Sequence, residues 1–288
     1  MTDENSAERG PEPGPALRAE KLHYRYSEGT AGLGSVDLQI GRGERWGIIG
    51  PNGSGKSTLL HHFAGVYAAK GHLWVLGLEA TKRNLPTIRR QVGFLFQDPD
   101  DQLFLPTVGA DVAFGPRNAG LGEAEVEARV AGALARLEVS HLRDRPTHRL
   151  SGGEKQGAAI ATVLALDPEI LVLDEPTNDL DAGARRRLER FLGGWSKTLV
   201  IATHDLELLL GTVDRIAVLD GGSCVVEGNS SELLRDFELL EKHGLEEPPT
   251  VRILREAGVT DPRRIPDPRE PADGAAQLDT PAPPPMAD

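Results

Sequence analysis

Gly50-Pro51-Asn52-Gly53-Ser54-Gly55-Lys56-Ser57 is the stretch that decides the fold. Its three glycines allow the backbone to curl until successive N–H groups face one phosphate. The apolar run 45–49 before it is typical of a short buried strand, and a helix is expected to begin near Lys56. The helix dipole favours an anion, the Lys56 ammonium can reach the outer phosphates, and the Ser57 hydroxyl is a ligand for Mg²⁺. We therefore predict a nucleotide-binding phosphate loop formed by Gly50, Pro51, Asn52, Gly53, Ser54, Gly55, Lys56, Ser57 and Thr58.

A second motif follows a fully apolar run at residues 170–173. This run predicts a buried strand that ends at Asp174 and Glu175. Asp174 is placed to hold Mg²⁺, directly or through water, and Glu175 can orient the attacking water as a general base. Alone, the pattern would also fit an acidic turn after a core strand.

Two more polar residues stand where predicted strands end. Gln97 follows the run 92–96, where its amide can contact Mg²⁺ or the attacking water. His204 follows the run 199–203, and an imidazole there can hydrogen-bond the γ-phosphate. A lone glutamine or histidine would carry little weight, but their order along the chain with Lys56 and Glu175 favours one catalytic set. The predicted catalytic residues are Lys56, Gln97, Glu175 and His204, and the predicted Mg²⁺ ligands are Ser57, Gln97 and Asp174.

The signature segment, residues 150–154, supplies a second glycine-rich anion site. Ser151 is placed to cap a helix over 157–166, whose free N–H groups favour a phosphate. Because Lys56 already holds one nucleotide, we predict that Ser151, Gly152 and Gly153 bind the ATP of a second subunit in a head-to-tail dimer. A purely structural helix cap is the alternative.

Tyr26 stands at a strand end and is suited to stacking on adenine through its ring face. Core packing or a surface position is the alternative.

Composition limits the function classes. The 288 residues have a formal charge of −12, which argues against nonspecific binding of nucleic acid. The single cysteine, Cys224, excludes an internal disulfide framework and fits a reducing compartment. No apolar run approaches the roughly 20 residues that a membrane-spanning helix needs.

The pattern along the chain predicts an α/β fold. Alternating residues over 17–40 predict an antiparallel β edge subdomain, and the apolar runs predict a core of parallel strands. We expect one ATPase domain over 17–240 with an inserted helical subdomain over about 98–156. A helical extension is expected over 241–260, with the segment 231–259 helical in two pieces. Residues 1–16 and the proline-rich stretch 261–288 are predicted to be disordered.

In this order the motifs resemble the nucleotide-binding subunit of ABC transporters, across about residues 17–240. The string FQDPDDQLF at 96–104, followed by PTV at 106–108 and DVAFGP at 111–116, is similar to the ATPases of energy-coupling-factor transporters, which include cobalt and nickel importers. The segment 239–249 is also similar to their C-terminal extension.

The resemblance implies a phosphate-loop ABC ATPase that uses ATP and Mg²⁺ and pairs with itself or with a paralogous ATPase. It implies that this dimer moves separate integral membrane transport subunits from the cytoplasmic face of the membrane, through a helix docked near residues 97–105. The transported solute would be a cobalt or nickel ion or a vitamin. In one respect the sequence differs from the family pattern, because Gly157 replaces a common basic residue after Gln156.

Two other functions are alternatives to transport. The segments 150–155 and 175–181 are also similar to ribosome-associated ABC proteins, although those carry two cassettes in one chain and this chain has one phosphate loop. A generic small-molecule kinase would leave the signature segment unexplained.

Overall fold

The computed structural model describes residues 14–69 and 72–258. The strands of this part of the chain are β1 (Leu17–Arg25), β2 (Ala31–Ile40), β3 (Arg45–Ile49), β4 (Leu73–Val75), β5 (Leu78–Glu79), β6 (Val92–Leu95), β7 (Ile170–Asp174), β8 (Thr198–Ala202), β9 (Arg215–Asp220) and β10 (Ser223–Asn229). Its α-helices are α1 (Lys56–Phe63), α2 (Leu85–Gln91), α3 (Val108–Asn118), α4 (Glu123–Arg136), α5 (Gly152–Leu164), α6 (Ala182–Gly193), α7 (Leu206–Leu210), α8 (Ser230–Leu233), α9 (Phe237–Lys242) and α10 (Pro249–Glu256). Short 3₁₀ helices cover Pro99–Asp101, Ser140–Leu142 and Thr147–Arg149.

One sheet contains all of these strands, in the order β5-β4-β1-β2-β10-β9-β3-β8-β7-β6. The strands β9, β3, β8, β7 and β6 pair in parallel. The pairs β1–β2, β1–β4 and β4–β5 are antiparallel and form the opposite end of the sheet. The predicted α/β fold, with a parallel core and an antiparallel edge, is confirmed.

Both faces of the parallel strands are buried. In β7, Leu171 and Leu173 belong to an apolar cluster shared with α5, whereas Ile170 and Val172 belong to a second cluster that encloses α1. This explains why the core strands have unbroken apolar sequences, since neither face meets water. The same packing holds the carboxyl ends of β3, β7 and β8 at one edge of the sheet, beside the start of α1.

Residues 98–156 contain α3, α4, the 3₁₀ helices and the first turn of α5. The β-structure recorded in this stretch is an isolated bridge between Thr107 and Pro146. The apolar faces of α3 and α4 pack on α5. The domain limits stated above stay predictions.

The predicted terminal segments fall largely outside the described residues, which exclude 1–13 and 259–288. Ala16, inside the predicted arm, is buried, and its carbonyl accepts a hydrogen bond from Leu76 N at 2.7 Å. The Gly14 carbonyl oxygen accepts from Arg42 Nε at 3.2 Å, so residues 14–16 of the predicted arm belong to the described structure beside the edge of the sheet.

The described part of 231–259 has three helices instead of the predicted two pieces, because the Asp236 side chain accepts a hydrogen bond from Leu239 N and starts α9 separately. None of the helices in the described ranges combines the length and the apolar character of a membrane-spanning segment.

Candidate nucleotide-hydrolysis site

The phosphate loop joins β3 to α1 and requires glycine at two close approaches. Gly50 has φ +151°, and a Cβ atom there would lie 2.0 Å from the Leu219 carbonyl oxygen. Gly55 has φ +101°, and a Cβ atom would lie 2.6 Å from the Gly32 carbonyl oxygen. Any larger residue would push the loop away from the sheet edge. The sequence therefore folds the backbone N–H groups of the loop around the start of α1.

The Lys56 side chain is buried within the curl of the loop. Its Nζ donates to the carbonyl oxygens of Gly50 at 2.7 Å and Pro51 at 3.1 Å. Burial lowers the Lys56 pKa, while the nearby charges of Glu175 and Asp174 raise it. The Ser54 hydroxyl is also buried and has no hydrogen-bond partner in the described structure. A cation and an unpaired hydroxyl at this loop suit an anionic ligand.

Asp174 ends β7 and is only 2% exposed. Burial raises its pKa, and a hydrogen bond with the Ser57 side chain lowers it. Its Oδ1 atom has no hydrogen-bond partner among the described residues. A buried carboxylate oxygen left unpaired beside a hydroxyl fits the oxygen-ligand preference of Mg²⁺. The residues therefore fit the ion: Ser57 and Asp174 would hold Mg²⁺, which would neutralise charge on the bound phosphates.

Glu175 and His204, which lie 29 positions apart, meet at the ends of β7 and β8. His204 Nδ1 lies 2.8 Å from Glu175 Oε2. The same oxygen accepts hydrogen bonds from the Thr203 hydroxyl at 2.9 Å and from His204 N at 3.2 Å. Glu175 has a φ of +47°, and its N–H donates to the Ala202 carbonyl oxygen. The carboxylate is thus fixed by the neighbouring strand, whereas the His204 side chain is 68% exposed and available to a ligand.

Sequence reasoning missed Thr203. It is fully buried at the end of β8, and its hydroxyl holds the Glu175 carboxylate while accepting from Asp205 N at 3.0 Å. A polar residue that closes an apolar strand next to a candidate histidine was the available signal.

Gln97 and Tyr26 lie at the ends of two other strands. Gln97 follows β6, is exposed and makes no hydrogen bond recorded in the described structure, so its catalytic role stays a prediction. Tyr26 follows β1, and its hydroxyl lies 2.7 Å from the Thr58 hydroxyl on α1, with its ring edge-on to Tyr24. Tyr26 is therefore attached to the helix that begins at the phosphate loop.

Ser151 caps α5, and its contacts lie within its own helix. The hydroxyl accepts from Glu154 N, and Ser151 N donates to Glu154 Oε2 at 2.9 Å. A Cβ atom on Gly152 would lie 3.2 Å from the Asp179 carbonyl oxygen, and one on Gly153 would lie 2.8 Å from Ala184 Cβ. The structure thus brings Lys56, Ser57, Asp174, Glu175 and His204 together, and places Ser151 to Gly153 against the segment that follows Glu175.

A phosphate loop and a paired aspartate and glutamate at the edge of a parallel sheet, together with a separate signature helix, define an ATPase of the ABC class. A family profile described as ABC transporter matches residues 33–178, and the chain belongs to that family.

Two curated relatives match most of the chain. It is 45% identical over 244 residues to the energy-coupling factor transporter ATP-binding protein EcfA of Methanothermobacter thermautotrophicus. This match covers 83% of this chain and 78% of the relative. It is 46% identical over 245 residues to the cobalt import ATP-binding protein CbiO of Rhodobacter capsulatus. This match covers 83% of this chain and 88% of the relative.

Two solved structures share the fold. One is cbiO1 of Clostridium perfringens, described as part of the ABC transporter complex cbiONQ, with a TM-score of 0.70, 36% identity and coverage of 84% of this chain and 99% of the other. The second is the ATP-binding cassette MJ0796, solved as a dimer in a post-hydrolysis state with ADP and Pi. It matches with a TM-score of 0.69, 27% identity and coverage of 74% of this chain and 98% of the other.

Proposed function

We propose that this chain is the ATP-binding and ATP-hydrolysing subunit of an energy-coupling-factor type importer, acting from the cytoplasmic face of the cell membrane. ATP and Mg²⁺ bind at the phosphate loop, and two cassettes close on two nucleotides. Closing and opening of the pair drive a separate integral membrane subunit, which carries a small solute. A cobalt or nickel ion or a vitamin is the solute class that the names of the relatives favour.

The observation that carries the proposal is the convergence of Lys56, Ser57, Asp174 and Glu175 at one edge of the sheet, with Asp174 Oδ1 left without a partner. Lys56 and Ser57 bind the phosphates and Mg²⁺, and Glu175 orients water towards the γ-phosphate. His204, in contact with Glu175, stands where it can hydrogen-bond that phosphate. Because these residues activate water, ATP can be hydrolysed without a separate phosphate acceptor, whereas a kinase requires one.

The signature segment supports a dimer. Ser151 caps α5 on an exposed surface, and its contacts do not include the phosphate loop of its own chain. A helix start with Ser151 and Gly152 exposed can receive the phosphates of a nucleotide held by a second cassette. The partner is a second copy or a paralogous ATPase. The dimer reported for MJ0796 supports this mode of assembly.

An apolar groove beside Gln97 supports a membrane partner. The groove has a volume of about 510 Å³ and lies between β6, α3 and α5. Phe104 and Phe114 line it edge to face at 5.0 Å and are 62% and 44% exposed. Asp111 also lines it, is 3% exposed and has no partner for Oδ2 among the described residues. We assign the groove to an apolar helix of the membrane subunit that packs on Phe104 and Phe114.

The ribosomal alternative has no comparable support. The relatives reported above are named as ATP-binding proteins of a transporter or an importer, and the groove, although Arg89 and Arg90 also line it, is lined mainly by apolar side chains. Recognition of RNA would call for clustered cations, and the chain has a net charge of −12.

The test is co-expression with the membrane components encoded nearby, followed by co-purification and ATP-dependent uptake of cobalt, nickel or a vitamin into vesicles. Phe104→Asp should abolish co-purification and uptake while the ATPase activity of the isolated chain persists. Val225→Asp is the matched control, because it adds the same charge at an exposed apolar residue on β10. If the unsubstituted chain never co-purifies and its deletion leaves uptake unchanged, the transport role is wrong.

A further inference from the structure

The helix that carries Ser151 begins with a negative charge where the proposed function requires phosphate. Glu154 is the third residue of α5, and its Oε2 accepts from Ser151 N at 2.9 Å. Like charges repel strongly at short range in a partly buried site. Two cassettes could therefore close on ATP here only if the charge of Glu154 were compensated.

Arg145 supplies that compensation. Its Nη1 atom donates to Glu154 Oε1 at 2.7 Å, so both carboxylate oxygens are engaged, one by Arg145 and one by Ser151. The hydrogen bond from Ser151 N, followed by the charge and hydrogen bond of Arg145, lowers the pKa of Glu154. The carboxylate is ionised and paired, and the pair has no net charge.

The Arg145 side chain extends from a fixed backbone. Arg145 N donates to the Leu142 carbonyl oxygen at 2.8 Å, and the Arg145 carbonyl oxygen accepts from Val108 N at 3.2 Å. The next residue, Pro146, forms the bridge with Thr107. Because the backbone is held on both sides, only the side chain has to be ordered when the guanidinium pairs with Glu154.

The other cation near the start of α5, Lys155, forms an ion pair with a different carboxylate. Lys155 donates to both carboxylate oxygens of Asp100, at 2.6 and 2.7 Å. Arg145 is thus the cation directed at the Ser151–Glu154 capping box. The Ser151 hydroxyl accepts from Glu154 N at 3.4 Å and also forms a side-chain hydrogen bond with the Glu154 carboxylate, which contributes to the lowered pKa of Glu154. A phosphate would replace that carboxylate as the acceptor of the hydroxyl proton.

We propose that Arg145 is a positioning residue of the second phosphate site. It neutralises Glu154 and holds it against Ser151 N, so that the phosphates of the ATP bound to a second cassette can approach the Ser151 hydroxyl. This inference rests on the proposed function, because it presupposes that Ser151 acts across a dimer.

A set of three variants tests it: Arg145→Ala, Glu154→Gln and the two combined. Glutamine keeps the capping box and removes the charge. Arg145→Ala should raise the ATP concentration needed for turnover and for dimer formation by about three- to fivefold, the size of one lost ion pair at a partly exposed site. Glu154→Gln alone should stay close to the unsubstituted protein, and the combined variant should match Glu154→Gln. ATP binding by dilute single chains should be unchanged in all three.

Arg143→Ala is the matched control. It removes the same charge from the same segment, but Arg143 pairs with Glu127 on α4 and leaves Glu154 paired. It should have no effect on the ATP concentration required, and the Arg145→Ala effect should shrink as salt is raised.

The inference is overturned if the combined variant is as impaired as Arg145→Ala, if Glu154→Gln alone is equally impaired, or if Arg143→Ala has the same effect. Recovery in the combined variant also rules out misfolding, because that variant lacks Arg145 too. Ser151→Arg distinguishes failure of the dimer role of Ser151 from failure of the role of Arg145. Normal turnover of that variant would refute the dimer role itself, whereas blocked turnover with no Arg145 effect would refute only this inference.

Discussion

Substitution of Glu175 by glutamine tests the division of labour between binding and hydrolysis. The amide oxygen can keep the hydrogen bonds from the Thr203 hydroxyl and His204 N, at 2.9 and 3.2 Å in the native protein. What is lost is the negative charge that orients and deprotonates water. A positioned general base is worth about 100- to 10,000-fold in rate, so kcat should fall by that factor, or by about 3–5 kcal/mol in activation free energy.

ATP affinity should remain within about threefold of the native value, because the side-chain hydrogen bonds of Glu175 go to Thr203 and His204, and its influence on the phosphate loop is limited to its charge near Lys56. With ATP bound and hydrolysis stalled, closed dimers should accumulate. Steady-state phosphate release, equilibrium titration with ATP and size-exclusion chromatography with light scattering measure the three quantities.

Glu169→Gln is the control for that experiment. Glu169 directly precedes β7, at the opposite end of the same strand, and pairs at the surface with Lys197 at 3.1 Å. The same chemical change there should leave turnover unaltered. If Glu175→Gln lost ATP binding as severely as turnover, or hydrolysed ATP at the native rate, the assignment of Glu175 as general base would be wrong.

Three further predictions concern the other residues of the site. Lys56→Ala should weaken ATP binding by at least about 100-fold in calorimetric titration, since it removes charged hydrogen bonds to phosphate, and retained affinity would contradict this role. Ser151→Arg should leave the ATP affinity of single chains intact while blocking turnover, and a normal rate would remove the cross-subunit role. Asp174→Asn should abolish Mg²⁺-dependent hydrolysis. The same substitution should stabilise the nucleotide-free protein at neutral pH by about 1 kcal/mol, or a few degrees in Tm, because burial raises the Asp174 pKa and asparagine carries no charge to bury. A group with a raised native pKa stabilises the fold below its ordinary pKa and loses that contribution as pH rises through the native pKa. The stability advantage of Asp174→Asn should therefore vanish near pH 4. A stability difference that does not change with pH would show that the raised Asp174 pKa is not its cause.

The sequence was sufficient for the parts of the site whose chemistry is local. Gly50 and Gly55 identify a loop whose φ values of +151° and +101° are rarely adopted by residues with a Cβ atom. The apolar run 170–173 predicts a strand buried on both faces. Asp174 and Ser57 could be assigned to Mg²⁺ separately, since each motif places its residue at a strand or helix end. Asp174 and Ser57 lie next to each other because parallel strands end at the same edge of the sheet. The strand pattern also predicted this parallel sheet.

What the sequence did not reveal depends on contacts between distant segments. The Thr203 hydroxyl donates a hydrogen bond to the Glu175 carboxylate, although the two residues are 28 positions apart. Nothing in the sequence around either residue indicates this contact. Arg145 becomes relevant only when the bridge between Thr107 and Pro146 fixes its backbone beside the start of α5. The groove at Phe104 and Phe114 requires that α3 pack on α5, an arrangement that hydrophobic periodicity does not specify.

Gly157 shows how the structure resolves a departure that the sequence leaves open. The family resemblance implies a basic residue at this position, so its absence put the polar contacts of α5 in doubt. The structure places a different polar contact here: buried Gln156 donates from Nε2 to the Pro176 carbonyl oxygen at 3.0 Å, which ties α5 to the segment after Glu175. At Gly157 itself, a Cβ atom would lie 3.1 Å from Val139 Cγ1, closer than an ordinary contact. In this chain glycine therefore lets Val139 approach α5, and the connection between the signature helix and the catalytic strand passes through Gln156.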